Sequence, residues 1–128
     1  MIEHEWRGKK AAVKRLYSEV LLKGDKKAAE ELMLETYKQH NPQAEDGRDG
    51  LLSHVADLNA QYPDRRIKFI HLFVDGDYVI THIHFMLVPG GYETMGMDIF
   101  RFEGNKIAEH WDVIQPMPEQ SANDNGMY

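Results

Sequence analysis

The feature of this sequence that most limits its fold is a change in the spacing of apolar residues near residue 66. Before this point, residues such as Val13, Leu16 and Val20 recur every three or four positions, which is typical of amphipathic helices. Beyond it, apolar residues alternate along the chain, which is typical of strands. The predicted helices are 6–23, 26–36 and 49–60, and the predicted strands run from 66 to a turn at 75–77 and then over 78–88, 93–102 and 106–115. Helices followed by antiparallel strands predict an α+β fold.

The predicted strand 78–88 carries apolar residues on both of its faces. Val79 and Ile83 point to one side, and Ile80 and Met86 point to the other. A sheet with one solvated face would instead show polar residues at every second position. We therefore expect this strand near the centre of the sheet, with one face on the helices. The other face should meet a partner subunit or the inside of a curved sheet, and a homodimer packed through the sheet is the expected assembly.

Length and charge restrict the class of protein. The chain has 128 residues, the ordinary size of one domain, and we assign residues 1–118 to that domain and 119–128 to a polar C-terminal tail. A net charge of −6 without a basic patch argues against nucleic acids and acidic membranes as partners. The absence of cysteine excludes disulfides, thiolate catalysis and cysteine-ligated metals. Lacking a membrane-length apolar run and a signal peptide, the protein is expected in the cytoplasm.

Side chains suited to acid/base chemistry are concentrated in the last two predicted strands. His110 and Asp112 are two positions apart and therefore share one face of a strand. Asp98 and Phe100 share a face of the preceding strand. If these faces line one cavity, two carboxylates and an imidazole meet in a small volume. Such a group of side chains can move protons to and from a substrate, which indicates an enzyme.

Several short motifs occur in the order found in SnoaL-like polyketide cyclases, and the resemblance covers about residues 8–117. The motifs are Tyr37-x-x-His40-Asn41-Pro42, Gly47-Arg48-Asp49-Gly50-Leu51, Tyr62-Pro63-Asp64, Asp75-Gly76-Asp77-Tyr78-Val79, Asp98-Ile99-Phe100-Arg101-Phe102 and Lys106-Ile107-x-Glu109-His110-Trp111-Asp112. The family belongs to the nuclear-transport-factor-2-like (NTF2-like) superfamily. The resemblance implies a cone-shaped fold, in which three N-terminal helices pack within a curved antiparallel sheet.

The resemblance also implies an activity. Characterised members catalyse an intramolecular aldol condensation without a cofactor or a metal, and an Asp on a late strand acts as the acid/base group. Asp112 matches that position, and His110 and Asp98 would assist it. The substrate would be a small, apolar, oxygenated molecule held in the cone. We expect the substrate-binding residues to be His40, His82, His84, Tyr37, Phe100, Trp111 and Met86.

Three alternatives remain open at the level of the sequence. His40, His82, His84 and His110 with a carboxylate would suit zinc, iron or nickel if the fold gathered them. The same fold would also support an isomerase or an epoxide hydrolase, although a hydrolase would be favoured by an Asp–Arg–Asp group. Finally, the chain would be a non-catalytic module for small-molecule binding if its cavity were filled or if Asp112 faced the solvent.

Overall fold

Over residues 2–128 the protein has three α-helices and five strands, and the first strand lies between the second and third helices. In the computed structural model, the backbone is described for residues 2–128 and the side chains for residues 7–128. Helix α1 spans Ile2–Arg15 and continues as a π-helical segment over Leu16–Leu21. The remaining elements are α2 (Lys26–Leu32), β1 (Met33–Gln39), α3 (Gly47–Gln61), β2 (Arg66–Asp75), β3 (Tyr78–Met86), β4 (Glu93–Glu103) and β5 (Lys106–Pro116). The expected α+β class is confirmed.

The five strands form one mixed sheet in the order β1-β5-β4-β3-β2. Strand β1 pairs in parallel with β5, and the other neighbours are antiparallel. Two expectations are therefore corrected: the sheet is not wholly antiparallel, and the second helix ends at Leu32 rather than near residue 36. The segment after Leu32 buries Met33 and Tyr37 and pairs with β5 as a strand, with an irregular register between Met33 and Lys38. Strand β3 is paired on both sides, but β4 is the central strand.

The junction between α1 and α2 is determined by short-range contacts. The π-helical segment ends where the Leu22 amide donates to the Tyr17 carbonyl oxygen, and Gly24 follows with φ of +69°. Glycine adopts this left-handed conformation without a steric penalty. The side chain of Asp25 then caps α2 by accepting from the Ala28 amide at 3.1 Å. This turn folds α2 back and allows β1 to start beside β5.

The two faces of the sheet have different surroundings. The inner face packs on the helices, and its core includes Val79 and Phe100 together with Leu16 of the π-helical segment. The outer face exposes large apolar side chains, among them Phe73 (57% exposed) and Val113 (76% exposed). The C-terminal residues return to this outer face, where the carbonyl oxygen of Met127 lies 2.9 Å from His82 Nε2 and Tyr128 stacks on His84.

None of the helices in the described part of the chain combines the length and apolar character that a membrane crossing requires.

Candidate active site

The pairing of β4 with β5 brings the acid/base side chains together. Asp98 lies opposite Asp112, and Phe100 lies opposite His110. All of these side chains are on the inner face, since Asp98 contacts Tyr17 of the π-helical segment. One ligand-type atom from each of Asp98, His110 and Asp112 lies within 4.8 Å of the others. The three residues expected at the reaction centre therefore form one cluster.

Asp98 is the buried hydrogen-bond acceptor of this cluster. One of its oxygens, Oδ1, lies 2.8 Å from His110 Nε2. The other, Oδ2, accepts from the Tyr17 hydroxyl and from the Thr81 hydroxyl, the latter at 3.3 Å. Both oxygens of Asp98 are therefore engaged in hydrogen bonds, and His110 is held directly against one of them.

The orientation of His110 is determined by Gln39 on the neighbouring strand β1. His110 Nδ1 lies 2.7 Å from the amide oxygen of Gln39. That oxygen also accepts from the backbone amide of Asn41 at 3.1 Å, so Nδ1 must carry a proton and donate it. Consequently Nε2 faces Asp98, and one proton lies between these two side chains. The imidazole ring is held from its faces by Phe100, at 4.8 Å, and by Tyr37, at 6.2 Å.

Asp112 has a less saturated environment than Asp98. Its Oδ2 accepts from the side-chain amide of Asn41 at 2.8 Å and lies 3.9 Å from His110 Nε2. Burial raises the pKa of Asp112 above its ordinary value; the His110 charge opposes this rise, and the Asp98 charge adds to it. Asp112 is therefore a carboxylate with an elevated proton affinity and free lone pairs, which is the character of a general base.

The cluster borders a small, mainly apolar inner cavity of about 90 Å³ between the sheet and α3. Its walls include Leu51, Val55 and Ile83. An outer cavity of about 410 Å³ adjoins it, and Asp112 and His54 line both spaces. Asp112 therefore lies where a ligand would pass from the outer cavity to the inner one.

Two tyrosines and a histidine complete the polar lining of the inner cavity. Burial raises the pKa of Tyr17 and of Tyr37 well above the ordinary value, and the Asp98 charge adds to both rises. Burial also lowers the pKa of His54, which favours its neutral form. At neutral pH these side chains offer hydrogen bonds from neutral groups beside the charged cluster.

Comparison with known proteins identifies the family. The profile of the SnoaL-like domain matches residues 13–110, which is most of the chain. The chain belongs to the SnoaL-like family. The resemblance noted in the sequence is thereby confirmed. None of the curated proteins matches this SnoaL-like chain.

Solved structures share the fold of this SnoaL-like protein. TsrD from Streptomyces laurentii is 19% identical, with a TM-score of 0.71, and the match covers 84% of this chain and 88% of TsrD. IdmH from Streptomyces antibioticus, named as a candidate polyketide cyclase, is 24% identical with a TM-score of 0.69, over 82% of this chain and 90% of IdmH. Bal32a, from a soil-derived mobile gene cassette, is 18% identical with a TM-score of 0.72, over 86% of this chain and 91% of Bal32a. At these identities the likeness concerns the fold.

The expected substrate-binding residues divide between the two faces of the sheet. Tyr37 and Phe100 line the inner cavity of this SnoaL-like protein. Three others, His82, His84 and Met86, alternate along β3 with inward-facing Thr81, Ile83 and Phe85, so they lie on the outer face. On that face, His82 Nε2 lies 2.9 Å from the carbonyl oxygen of Met127, and His84 Nε2 lies 2.8 Å from Glu93. A role of these three residues in substrate binding stays a prediction.

Trp111 and His40 also lie outside the inner cavity. Trp111 falls between His110 and Asp112 on β5 and therefore points to the outer face. His40 stacks on its indole ring at 4.8 Å, and His40 Nε2 lies 2.7 Å from a carboxylate oxygen of Glu109. Strand alternation thus directs Trp111 outward and His40 packs against it, and substrate contact by either residue stays a prediction.

The four histidines considered as metal ligands are not gathered by the fold. His82 and His84 lie on the opposite face of the sheet from His110. Over residues 7–128, the cluster of Asp98, His110 and Asp112 is the one group with metal-type ligands in reach of one another. Its two carboxylates and one imidazole would suit a divalent ion. However, His110 Nε2 and both Asp98 oxygens are already engaged, so a metal would have to displace these hydrogen bonds.

The sequence analysis does not identify several polar residues of the inner cavity wall. They are Gln39, Asn41, His54, Arg65 and the hydroxyl of Tyr17. For Gln39 the sequence does contain an indication, because Met33, Tyr37 and Gln39 are separated by even numbers of residues, as on one face of a strand. The same segment also fits the end of the second predicted helix, which is the interpretation adopted above. For His54 and Arg65 the sequence offered no signal, since their places in the cavity wall depend on how α3 packs.

Proposed function

We propose that this SnoaL-like protein is an acid/base enzyme of the polyketide cyclase type, which removes a proton from a carbon next to a carbonyl group. The substrate is a small, apolar, oxygenated molecule held in the inner cavity. The resulting enolate carbon attacks a second carbonyl of the same molecule, so the whole reaction is an intramolecular aldol condensation. The observation that carries this proposal is the position of Asp112, a largely buried carboxylate beside His110 at the boundary of an apolar cavity.

Asp112 is the proposed base. A carbon acid next to a carbonyl holds its proton more tightly than an ordinary carboxylic acid, so a carboxylate with a raised pKa removes it more readily. Burial supplies that raised pKa. The single hydrogen bond from Asn41 holds the carboxylate in place and leaves lone pairs for the substrate proton.

His110 is the proposed electrostatic partner. Its Nε2 is hydrogen-bonded to Asp98, lies 3.9 Å from Asp112 Oδ2 and faces the region in which an enolate forms. Hydrogen-bond donors and dipoles that are fixed before the reaction stabilise such an anion without having to reorganise. After the carbon–carbon bond forms, the new alkoxide takes the proton back from Asp112, which regenerates the carboxylate. This addition step leaves the product an isomer of the substrate, and no cofactor takes part in it.

Proton exchange tests the proposal without knowledge of the natural substrate. Aromatic monoketones such as acetophenone exchange the hydrogens next to the carbonyl slowly, and proton NMR in D₂O measures the rate. The wild-type protein should accelerate this exchange. Asp112→Asn keeps the side-chain volume and should slow the catalysed exchange by about 10²–10⁴-fold, the usual contribution of a positioned acid/base group.

The matched control is Asp64→Asn, which makes the same change at an exposed position outside the inner cavity. It should exchange the ketone hydrogens at the wild-type rate. If wild type and Asp112→Asn catalyse exchange equally, Asp112 is not the base and the mechanism is wrong.

A further inference from the structure

Arg65 is a buried cation in the wall of the inner cavity. It immediately precedes β2, and only 7% of its surface is exposed. Its neighbours in the cavity wall include the apolar side chains of Leu21, Leu58 and Ile67. Arginine in such surroundings normally pairs with a carboxylate, because an unpaired buried charge is costly.

No such carboxylate is present beside Arg65. Its Nη2 donates to the carbonyl oxygen of Leu21 and to the side-chain oxygen of Asn59, the latter at 2.8 Å. Its Nε is buried without a hydrogen-bond partner. Within the described part of the chain, no ion pair involves Arg65, and burial alone lowers its pKa. Both a hydrogen-bond acceptor and a negative charge are therefore missing at this position.

The acid/base cluster occupies a different part of the same cavity. His54 lines the same cavity and is near both charges, since Asp112 raises its pKa and Arg65 lowers it, although burial has the largest effect. A ligand that reaches both Asp112 and Arg65 would thus place one chemical group at the Asp112 end of the cavity and a different one at the Arg65 end. The end near Arg65 would be the anionic one, because Asp98 and Asp112 repel anions at the other end.

We propose that Arg65 binds the carboxylate of the substrate, so that the enzyme prefers keto acids to neutral ketones of the same size. The inference depends on the proposed function only in treating the bound carboxylate as part of a substrate. The binding of a carboxylate at Arg65 is measurable without turnover. The carboxylate accepts a hydrogen bond from Nε and supplies the missing counter-charge. Binding at Arg65 then orients the carbonyl end of the molecule towards Asp112.

A purely structural role is the competing explanation. Arg65 joins Leu21, at the end of the π-helical segment, to Asn59 in the last turn of α3. In that role it would tie two helices together and show no preference for an anionic ligand.

Benzoate and benzamide distinguish the two roles, because they share a ring and differ in charge. Titrations by calorimetry with the wild-type protein should give at least about tenfold tighter binding of benzoate, since a hydrogen bond to a charged group contributes about 1.5–3 kcal/mol. The net charge of −6 works against benzoate, so a general field effect would give the opposite preference. Arg65→Met should abolish the preference, and Arg65→Lys, which keeps the charge without the guanidinium, should retain part of it.

A second measurement does not depend on whether the variants fold. The Arg65 Nε–H signal in a ¹⁵N–¹H NMR spectrum should shift on addition of benzoate and remain in place on addition of benzamide. Equal affinities in the wild type, an unmoved Nε–H signal, or a full preference in folded Arg65→Met would overturn the proposal. Asp112→Asn should keep the benzoate preference, so a failure of the proposed base would leave this result unaffected.

Discussion

Gln39 holds His110 through a 2.7 Å hydrogen bond from Nδ1 to the amide oxygen, and this contact decides which nitrogen faces Asp98. The two residues come from β1 and β5, the only parallel pair among the described strands. The same amide oxygen is held by the Asn41 backbone, whose side chain in turn contacts Asp112. The short segment 39–41 thus supports both the proposed base and its partner.

Removing the Gln39 amide should impair catalysis without removing any reacting group. Gln39→Met keeps the length of the side chain but cannot accept the proton of Nδ1, so His110 loses the contact that fixes the orientation of its ring. Since leaving a buried donor unsatisfied costs about 1–3 kcal/mol, ketone exchange should fall by about 5–100-fold. The ¹⁵N shifts of the His110 ring should report the altered proton position.

Gln61→Met is the matched control, at an exposed position at the end of α3. Its exchange rate should equal that of the wild type. A wild-type rate in Gln39→Met as well would show that the orientation of His110 does not depend on Gln39.

The Tyr17 hydroxyl should contribute to stability as well as to the site. It is buried and donates to Asp98, so Tyr17→Phe leaves a buried carboxylate with one donor fewer. The free energy of unfolding should fall by about 1–3 kcal/mol, the cost of an unsatisfied buried group. Urea denaturation measures this difference. Tyr92→Phe removes a hydroxyl from an exposed ring and should change stability little; equal losses in the two variants would contradict the assigned role.

The raised pKa of Asp112 predicts a pH-dependent difference between Asp112→Asn and the wild type. The native protein holds this proton more tightly than the unfolded chain, whose Asp has its ordinary pKa near 3.8. The contribution of Asp112 to stability therefore falls as pH rises from about 3.8 through the raised native pKa, and stays low above it. Asp112→Asn cannot ionise and avoids this loss.

Relative to the wild type, Asp112→Asn should thus gain stability between pH 4 and pH 7. Urea denaturation at both pH values gives the two free energies for each protein. Taking the difference in unfolding free energy between the two proteins at each pH removes, to first order, the contribution of all other titrating groups. A difference that stays constant, or that shrinks as pH rises, would show that Asp112 does not have a raised pKa.

The exposed apolar residues of the outer face predict a homodimer. Large exposed apolar patches mark interaction surfaces, and Phe73, Met97, Ile99 and Val113 share this face. Sedimentation should give about twice the 14.8 kDa of one chain. Val113→Lys should shift the protein to a monomer, whereas Ala56→Lys, at an exposed position on α3, should leave the dimer intact. A wild-type monomer at micromolar concentration would refute the dimer.

The helices and most strands were predictable because each buries one face against the core. Val13, Leu16 and Val20 recur with a helical period, and the buried residues of β3 lie mostly at every second position. Local spacing therefore indicates whether each segment is a helix or a strand. The segment 33–39 was mispredicted because its structure depends on a distant partner. Met33 and Tyr37 are also compatible with a helix, and only pairing with β5, more than 65 residues later, makes the segment a strand.

The sequence by itself determined the α+β class, the family, and the shared strand face of His110 and Asp112, because strand alternation is a local property. Only the tertiary structure decided which face of the sheet meets the helices. That choice brought Asp98, His110 and Asp112 into one cavity and turned His82, His84, Met86 and Trp111 away from it. It also placed Gln39 beside His110 and left the Nε of Arg65 buried without a hydrogen-bond partner. These surroundings depend on segments that are far apart in the sequence, so local spacing does not predict them.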